Sequence, residues 1–228
     1  MTQYFLPNDV YFCTKGDALI FLCLKKDRYL QVQGEPALLL SRISLEADAE
    51  PASPNDANTF AQLMAAGLLT TQSHLGKAIL PSNVLLAEKQ LSDMPEGDIE
   101  PLRFKHLWNF ICACISAATA LRFRSIEQIV EQMRRDKAPM TQQPLDVRRA
   151  HSLVMVFNTL RLLFPRGFLC RFDSLALIKF LGRYGIFPTW VFAVKLDPWG
   201  AHCWVQAEEI LLNEEIDEAE EYIPVMAI

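Results

Sequence analysis

The sequence lacks the hallmarks of several common classes of protein. Its 228 residues carry 22 Lys and Arg against 27 Asp and Glu, so the net charge of -5 excludes the basic excess typical of nucleic-acid binders. It has no CxxC pair, no Cys and His set with zinc-site spacing and no glycine-rich phosphate loop. We therefore expect no nucleic-acid partner, no metal and no cofactor.

A secretory signal and a membrane-spanning segment are also missing. The longest apolar stretch, residues 107–121, is interrupted by Asn109 and is shorter than the roughly 20 residues that cross a bilayer. The six cysteines lie mostly within apolar runs, which is typical of reduced thiols in a cytoplasm. We expect a cytoplasmic protein with no membrane partner.

Apolar residues, by contrast, are plentiful, and at 51% they are sufficient for a packed core. In the N-terminal third, short extended segments and helical stretches are separated by turn signals. We predict strands at 10–13, 18–24 and 29–32, helices at 35–44 and 56–66, and a wing in which 68–71 pairs with 78–80. Residues 1–82 thus predict a winged helix-turn-helix with a three-stranded antiparallel sheet.

Residues 83–101 lose this periodicity and contain Pro95, Gly97 and several acidic residues, which predicts a linker with one short helix near 84–91. A second unit is predicted at 102–228. Its helices are expected at 102–121, 125–135, 145–163 and 170–182, and its strands at 186–194, 201–206 and 209–213. Because the helices come first and the strands afterwards, the pattern indicates an α+β fold.

Cys170 is a candidate nucleophile because it stands at a helix start, after the turn 165–167. Backbone N–H groups and the helix dipole at such a position lower the pKa of a thiol towards the thiolate that attacks carbonyls. A buried core thiol is the simpler alternative. Asp173, with Ser174, is interpreted as a cap of the first helical turn.

His202 lies in the extended segment 201–206, where a strand can hold an imidazole against the Cys170 sulfur. A lone histidine in a strand is more often structural than catalytic, so the hypothesis depends on the pairing with Cys170. The neighbouring Cys203 points to the opposite face of a regular strand, and we interpret it as a core residue.

The residue that would orient His202 depends on the register of a hairpin. If Glu208 and Glu209 form a two-residue turn, Asn213 lies on the same side of the sheet as His202, one diagonal step away. If the loop has three residues, Glu214 falls opposite His202 instead. The sequence leaves both residues open.

Several motifs resemble a known family. The pattern Cys-x-x-x-Ser-Leu-Ala-Leu at 170–177, the strand at 185–194 and Ala-His-x-Trp-Val at 201–205 are similar to the transglutaminase-like cysteine protease domain of lasso peptide biosynthesis, the leader peptidase known as the B protein. The resemblance covers residues 105–216. Residues 6–32 look like the companion PqqD-like domain, which recognises the precursor peptide.

The resemblance implies a Cys-His-Asp triad at Cys170, His202 and an acid position where this chain has Glu214, preceded by Asn213. It also implies that the leader of a ribosomally made precursor adds to the N-terminal sheet as an extra strand and is then cleaved off. An ATP-dependent macrocyclase resembling asparagine synthetase would use the freed amine and is the expected partner. The residues expected to contact the leader are Tyr29, Leu30, Gln31 and Val32 on the sheet edge and Phe60, Leu63 and Met64 on the second helix.

Two other functions compete with this interpretation. The chain would be a noncatalytic precursor-binding scaffold if the unusual acid position reflects a decayed site. It would be an acyltransferase, as transglutaminases and arylamine acetyltransferases are, if an amine rather than water receives the acyl group.

Overall fold

The computed structural model describes residues 3–45, 54–94, 101–137, 146–165 and 167–228. They form two compact units, Met1–Val84 and Leu85–Ile228. Each unit combines helices with sheet, so the chain has the predicted α+β composition. The elements of the first unit are β1 (Leu6–Pro7), β2 (Val10–Lys15), β3 (Ala18–Cys23), β4 (Arg28–Val32), α1 (Glu35–Leu45), α2 (Pro54–Ala66), a 3-10 turn (Ser73–Leu75) and β5 (Gly76–Lys77).

The first unit is built on an antiparallel sheet in the order β2-β3-β4. All six residues of β3 are buried, as its unbroken apolar sequence requires. Strand β4 lies at the edge of this sheet and is only partly buried. Its register is set by pairs such as Phe21 with Leu30 and Leu19 with Val32.

The predicted wing is not formed as expected. Among the described residues, 68–71 and 78–80 do not pair with each other; instead β5 pairs with β1, and Thr70 bridges to Phe5. Gly76 permits this arrangement because a Cβ at that position would lie 2.4 Å from the Cβ of Phe5. The N-terminal residues therefore occupy the place predicted for the second wing strand.

The segment predicted as a linker contributes to the second unit. Residues 84–91 do not form the predicted short helix; 84–87 belong to no helix or strand, Lys89 and Gln90 form β6, and a 3-10 turn begins at Leu91. Strand β6 pairs in parallel with residues 210–211, and Leu85 O accepts a hydrogen bond from Gln206 Nε2 at 2.9 Å. Pro95 and Gly97, on which the linker prediction rested, lie outside the described residues.

The remaining elements of the second unit place four helices before the strands, as predicted, and add a short helix between the last two strands. They are a 3-10 turn (Leu91–Asp93), α3 (Phe104–Phe123), α4 (Ile126–Lys137), α5 (Val147–Arg161), α6 (Cys170–Gly182), β7 (Thr189–Leu196), β8 (Trp199–Ala207), β9 (Ile210–Leu211), α7 (Ile216–Glu220) and β10 (Ile223–Ala227). None of the helices among these residues is long and apolar enough to cross a membrane.

The second unit has a five-stranded sheet in the order β10-β7-β8-β9-β6. The sequence predicted its central strands β7 and β8 but did not predict α7 or β10. Strand β10 pairs with β7, and Val225 and Met226 are buried. Helix α6 packs on β8, which brings its first residue, Cys170, to the face of this sheet.

Candidate active site

Cys170 is the first residue of α6, as predicted. The helix begins with a backbone hydrogen bond from Asp173 N to Leu169 O at 2.9 Å. The Asp173 carboxylate in turn accepts a hydrogen bond from Leu169 N at 2.6 Å. Asp173 therefore caps the first turn, as expected, and Cys170 lies at the N-terminal end of the helix, the positive end of its dipole.

The surroundings of Cys170 favour a thiolate. Hydrogen bonds with the side chains of Cys203 and His202, and the nearby His202 charge, lower the pKa of the Cys170 thiol to about 4 against the opposing effect of burial. The free thiol is partly exposed. An ionised and accessible sulfur is the form that acts as a nucleophile.

His202 is held on β8, opposite Ala193 of β7. Its Nε2 atom is hydrogen-bonded to Glu214 Oε2, and the ring of Tyr222 lies behind it with centroids 5.1 Å apart. Burial lowers the pKa of His202, but the hydrogen bonds with Cys170 and Glu214 outweigh this effect and raise the pKa to about 9. Because Glu214 occupies Nε2, the other ring nitrogen, Nδ1, is the one left to face the sulfur.

Glu214 contacts His202, but the hairpin register that places it there is not the one that the sequence predicted for it. The β8–β9 hairpin has the two-residue register, with Ala207 opposite Ile210, which we expected to favour Asn213. Strand β9 ends at Leu211, however, and the chain then turns, so that the carboxylate of Glu214 meets the imidazole. The expected link between register and orienting residue is therefore wrong.

Asn213 performs a different task from the one considered for it. Its Oδ1 accepts a hydrogen bond from Val205 N at 2.7 Å, and its Nδ2 donates to Ser174 Oγ at 3.2 Å. Ser174 Oγ donates in turn to Cys203 O at 3.2 Å. Asn213 and Ser174 thus tie α6 to β8, and Ser174 is not the cap that we expected.

Cys203 is buried, as predicted for a core residue, but it is not remote from the site. Its thiol shares a hydrogen bond with Cys170, and this bond together with burial raises the pKa of Cys203 well above its ordinary value. A neutral thiol therefore faces a thiolate. This contact was not predicted from the sequence, because the alternation of side chains along a strand places His202 and Cys203 on opposite faces.

An open cavity of about 840 Å³ adjoins these residues. Glu214, Asn213 and Asp173 all line it, whereas Cys170 and His202 do not. Its volume is in the range of cavities that hold small ligands or peptide side chains. Its apolar wall comprises Leu91, Met94, Met155, Phe157, Phe168 and Leu212.

The residues predicted to contact a leader peptide differ in their exposure. Tyr29, Leu30 and Val32 on the edge strand β4 are partly buried, and Gln31 is exposed. On α2, Phe60 is 1% exposed, Leu63 is 5% exposed and Met64 is 38% exposed. Phe60 and Leu63 belong to the core of the first unit, since an amphipathic helix buries one face, so the prediction that a peptide packs on them is corrected.

The arrangement of Cys170, His202 and Glu214 supports nucleophilic chemistry at a carbonyl. In an arrangement of this kind a thiolate can attack a carbonyl carbon, an imidazolium can give a proton to a leaving group, and a carboxylate can hold the ring and its charge. Within the described ranges, no group of three or more His, Cys, Asp and Glu side chains is arranged to hold a metal ion.

Comparison with known proteins identifies one match. The sequence pattern described as the transglutaminase-like superfamily matches residues 113–227, which contain α6, β8 and the segment after β9. No curated protein and no solved structure matches the chain.

Proposed function

Because the chain belongs to the transglutaminase-like superfamily, which commonly contains cysteine peptidases, we propose that it is a cysteine peptidase. The observation that carries this proposal is the Cys170 thiolate held against a His202 imidazolium that Glu214 orients. We further propose that its substrate is a ribosomally made lasso precursor peptide, from which it removes the leader.

The proposed reaction has two steps. The Cys170 thiolate attacks the carbonyl carbon of the scissile bond, and His202 gives its proton to the leaving amine, so that the C–N bond breaks and a thioester with the leader forms. Water then attacks the thioester, with His202 accepting a proton, and releases the leader carboxylate and the thiolate. The product is a core peptide with a free N-terminal amine.

The first unit supports the substrate assignment. Among the described residues its sheet ends in β4, and an edge strand can receive an extended peptide as an additional strand. Binding of the leader there would raise the effective concentration of the scissile bond at the second unit. An ATP-dependent macrocyclase resembling asparagine synthetase is the proposed partner, because it consumes the freed amine.

The test is a cleavage assay with the purified chain and a synthetic copy of a short precursor peptide encoded beside its gene. Mass spectrometry is expected to detect two fragments whose masses sum to that of the peptide plus one water. The variant Cys170→Ala is expected to bind the peptide without cutting it. A fragment that carries an added amine would indicate acyl transfer, and a wild-type chain that only binds the peptide would indicate a scaffold.

A further inference from the structure

A buried charge contacts the segment that leads into the candidate nucleophile. Arg161 is the last residue of α5, and its side chain is only 4% exposed. Arginine is almost never buried to this extent unless it is paired, because removing its charge from water is costly. Its partner is Asp173 of α6, and Nε of Arg161 donates to Oδ1 of Asp173 at 2.5 Å.

The two side chains bracket the turn that leads into α6. Arg161 Nη2 donates to Gly167 O at 3.0 Å, and its guanidinium lies over the ring of Phe168, 4.6 Å from the centroid. Asp173 accepts from Leu169 N at 2.6 Å with the oxygen that Arg161 Nε does not use. Cys170 follows Leu169 directly, so one ion pair holds the backbone just before the nucleophile at two points, Gly167 and Leu169.

Packing does little to hold this turn in place. Phe168 is 71% exposed and Leu169 is 50% exposed, so neither buries much apolar surface. Hydrogen bonds to the backbone and the cation–π contact therefore fix the turn. An ion pair of this kind adds little to global stability compared with apolar residues of similar size, but it defines one geometry.

We propose that Arg161 and Asp173 are positioning residues that hold the Cys170 sulfur at its contact with His202. This inference rests on the proposed peptidase function. The groups that face the sulfur itself are His202 and Cys203 on β8, and a displacement of the turn carries the sulfur away from both.

The test compares two variants of the pair with a matched control. Arg161→Lys keeps the charge but loses the planar fork that reaches Asp173 and Gly167 together. The double variant Arg161→Met with Asp173→Leu removes both charges, so no buried charge is left unpaired and the chain is expected to fold. Arg148→Lys is the control, since Arg148 lies on the same helix but is exposed.

The readout is the pH dependence of Cys170 alkylation by iodoacetamide in the full chain, resolved by residue with mass spectrometry. Both variants of the pair are expected to raise the midpoint by about one pH unit or more, because the thiolate loses part of its contact with His202. They are also expected to lower kcat for peptide cleavage about 10-fold to 100-fold, with a smaller change in KM. Arg148→Lys is expected to change neither quantity.

The results separate this inference from the proposed function. A folded variant whose alkylation midpoint equals that of the wild type would overturn the positioning role, even if its thermal unfolding midpoint falls. A low wild-type midpoint without peptide cleavage would count against the peptidase and would leave the alkylation comparison valid. A variant of the pair whose alkylation midpoint is higher than that of the wild type supports the inference, whether or not the wild type cleaves the peptide.

Discussion

Cys13 and Cys170 lie in different units of the chain and have opposite chemistry. Burial raises the pKa of Cys13 to about 11, whereas hydrogen bonds with Cys203 and His202 lower the pKa of Cys170 to about 4. Both thiols are free. The first lies in a sheet among apolar neighbours and the second stands at a helix start with polar partners. Burial alone thus raises the pKa of a thiol and keeps it protonated, whereas hydrogen-bond partners can lower the pKa so that the thiol ionises.

Replacing the two kinds of cysteine gives the largest expected contrast. Cys170→Ala is expected to lower the rate of peptide cleavage by about 10⁴-fold or more, because the covalent route is lost. Cys13→Ala in β2 is expected to leave the rate unchanged and to lower the free energy of unfolding by about 1 kcal/mol. Cleavage kinetics and urea unfolding measure the two effects. A Cys170→Ala variant that still cleaves the peptide would exclude this cysteine as the nucleophile.

Substitutions at Glu214 and Asn213 separate orientation of the imidazole from tethering of the helix. Glu214→Gln is expected to lower kcat by about 10²-fold or more, since an amide does not stabilise the imidazolium charge. Asn213→Ala is expected mainly to lower the free energy of unfolding, by about 1 to 3 kcal/mol, because Val205 N and Ser174 Oγ lose their partner. Steady-state kinetics and thermal unfolding measured on both variants test this. A larger loss of kcat in Asn213→Ala than in Glu214→Gln would contradict the assignment.

The pH dependence of alkylation sharpens the comparison between Cys170 and Cys13. The lowered pKa of Cys170 keeps its sulfur ionised down to about pH 4, and the raised pKa of His202 keeps the imidazole charged up to about pH 9. The ion pair is therefore expected to exist between these limits, to lose its thiolate below them and to lose its imidazolium above them. Residue-resolved reaction with iodoacetamide is expected to plateau for Cys170 in this range, while Cys13 stays protonated. A Cys170 midpoint near the ordinary thiol value of about 8.5 would contradict the pairing.

The smallest expected effects come from the edge of the first unit. Tyr29→Ala and Met64→Ala are each expected to weaken binding of a labelled precursor peptide up to about 10-fold, because each removes one side-chain contact. Neither change is expected to alter the alkylation rate of Cys170. Fluorescence anisotropy measures the binding, and Leu38→Ala on α1, which is also exposed, is the control. Unchanged affinity in both variants would place the peptide elsewhere.

The ends of some helices could be predicted from the sequence. Ser125 and Gln128 form the two bonds of a capping box, each at 3.2 Å, at the start of the helix predicted from residue 125. Helix α6 begins at Cys170 and ends at Gly182, as predicted. These features depend on residues a few positions apart, and that is the range over which residue types and spacing carry information.

The residue that contacts His202 could not be predicted from the sequence, because local spacing does not determine it. Its identity depends on where β9 stops pairing with β8, and only two residue pairs form before the chain turns. Beyond them, the Asn213 side chain accepts the hydrogen bond of Val205 N that a longer strand would have accepted with its backbone. That exchange turns Glu214 towards His202, and no periodicity in the acidic stretch indicates it.

Strand β6 has a practical consequence for anyone who wishes to separate the two units. Gln90 pairs with Leu211, and its Oε1 accepts a hydrogen bond from Ile216 N at 3.0 Å, on either side of the turn that carries Glu214. A chain shortened to start at the predicted boundary, residue 102, would lack this support beside its carboxylate. Expressing the second unit on its own therefore calls for a start no later than Leu85, and a comparison of the two truncations would reveal how far β6 affects the contact between Glu214 and His202.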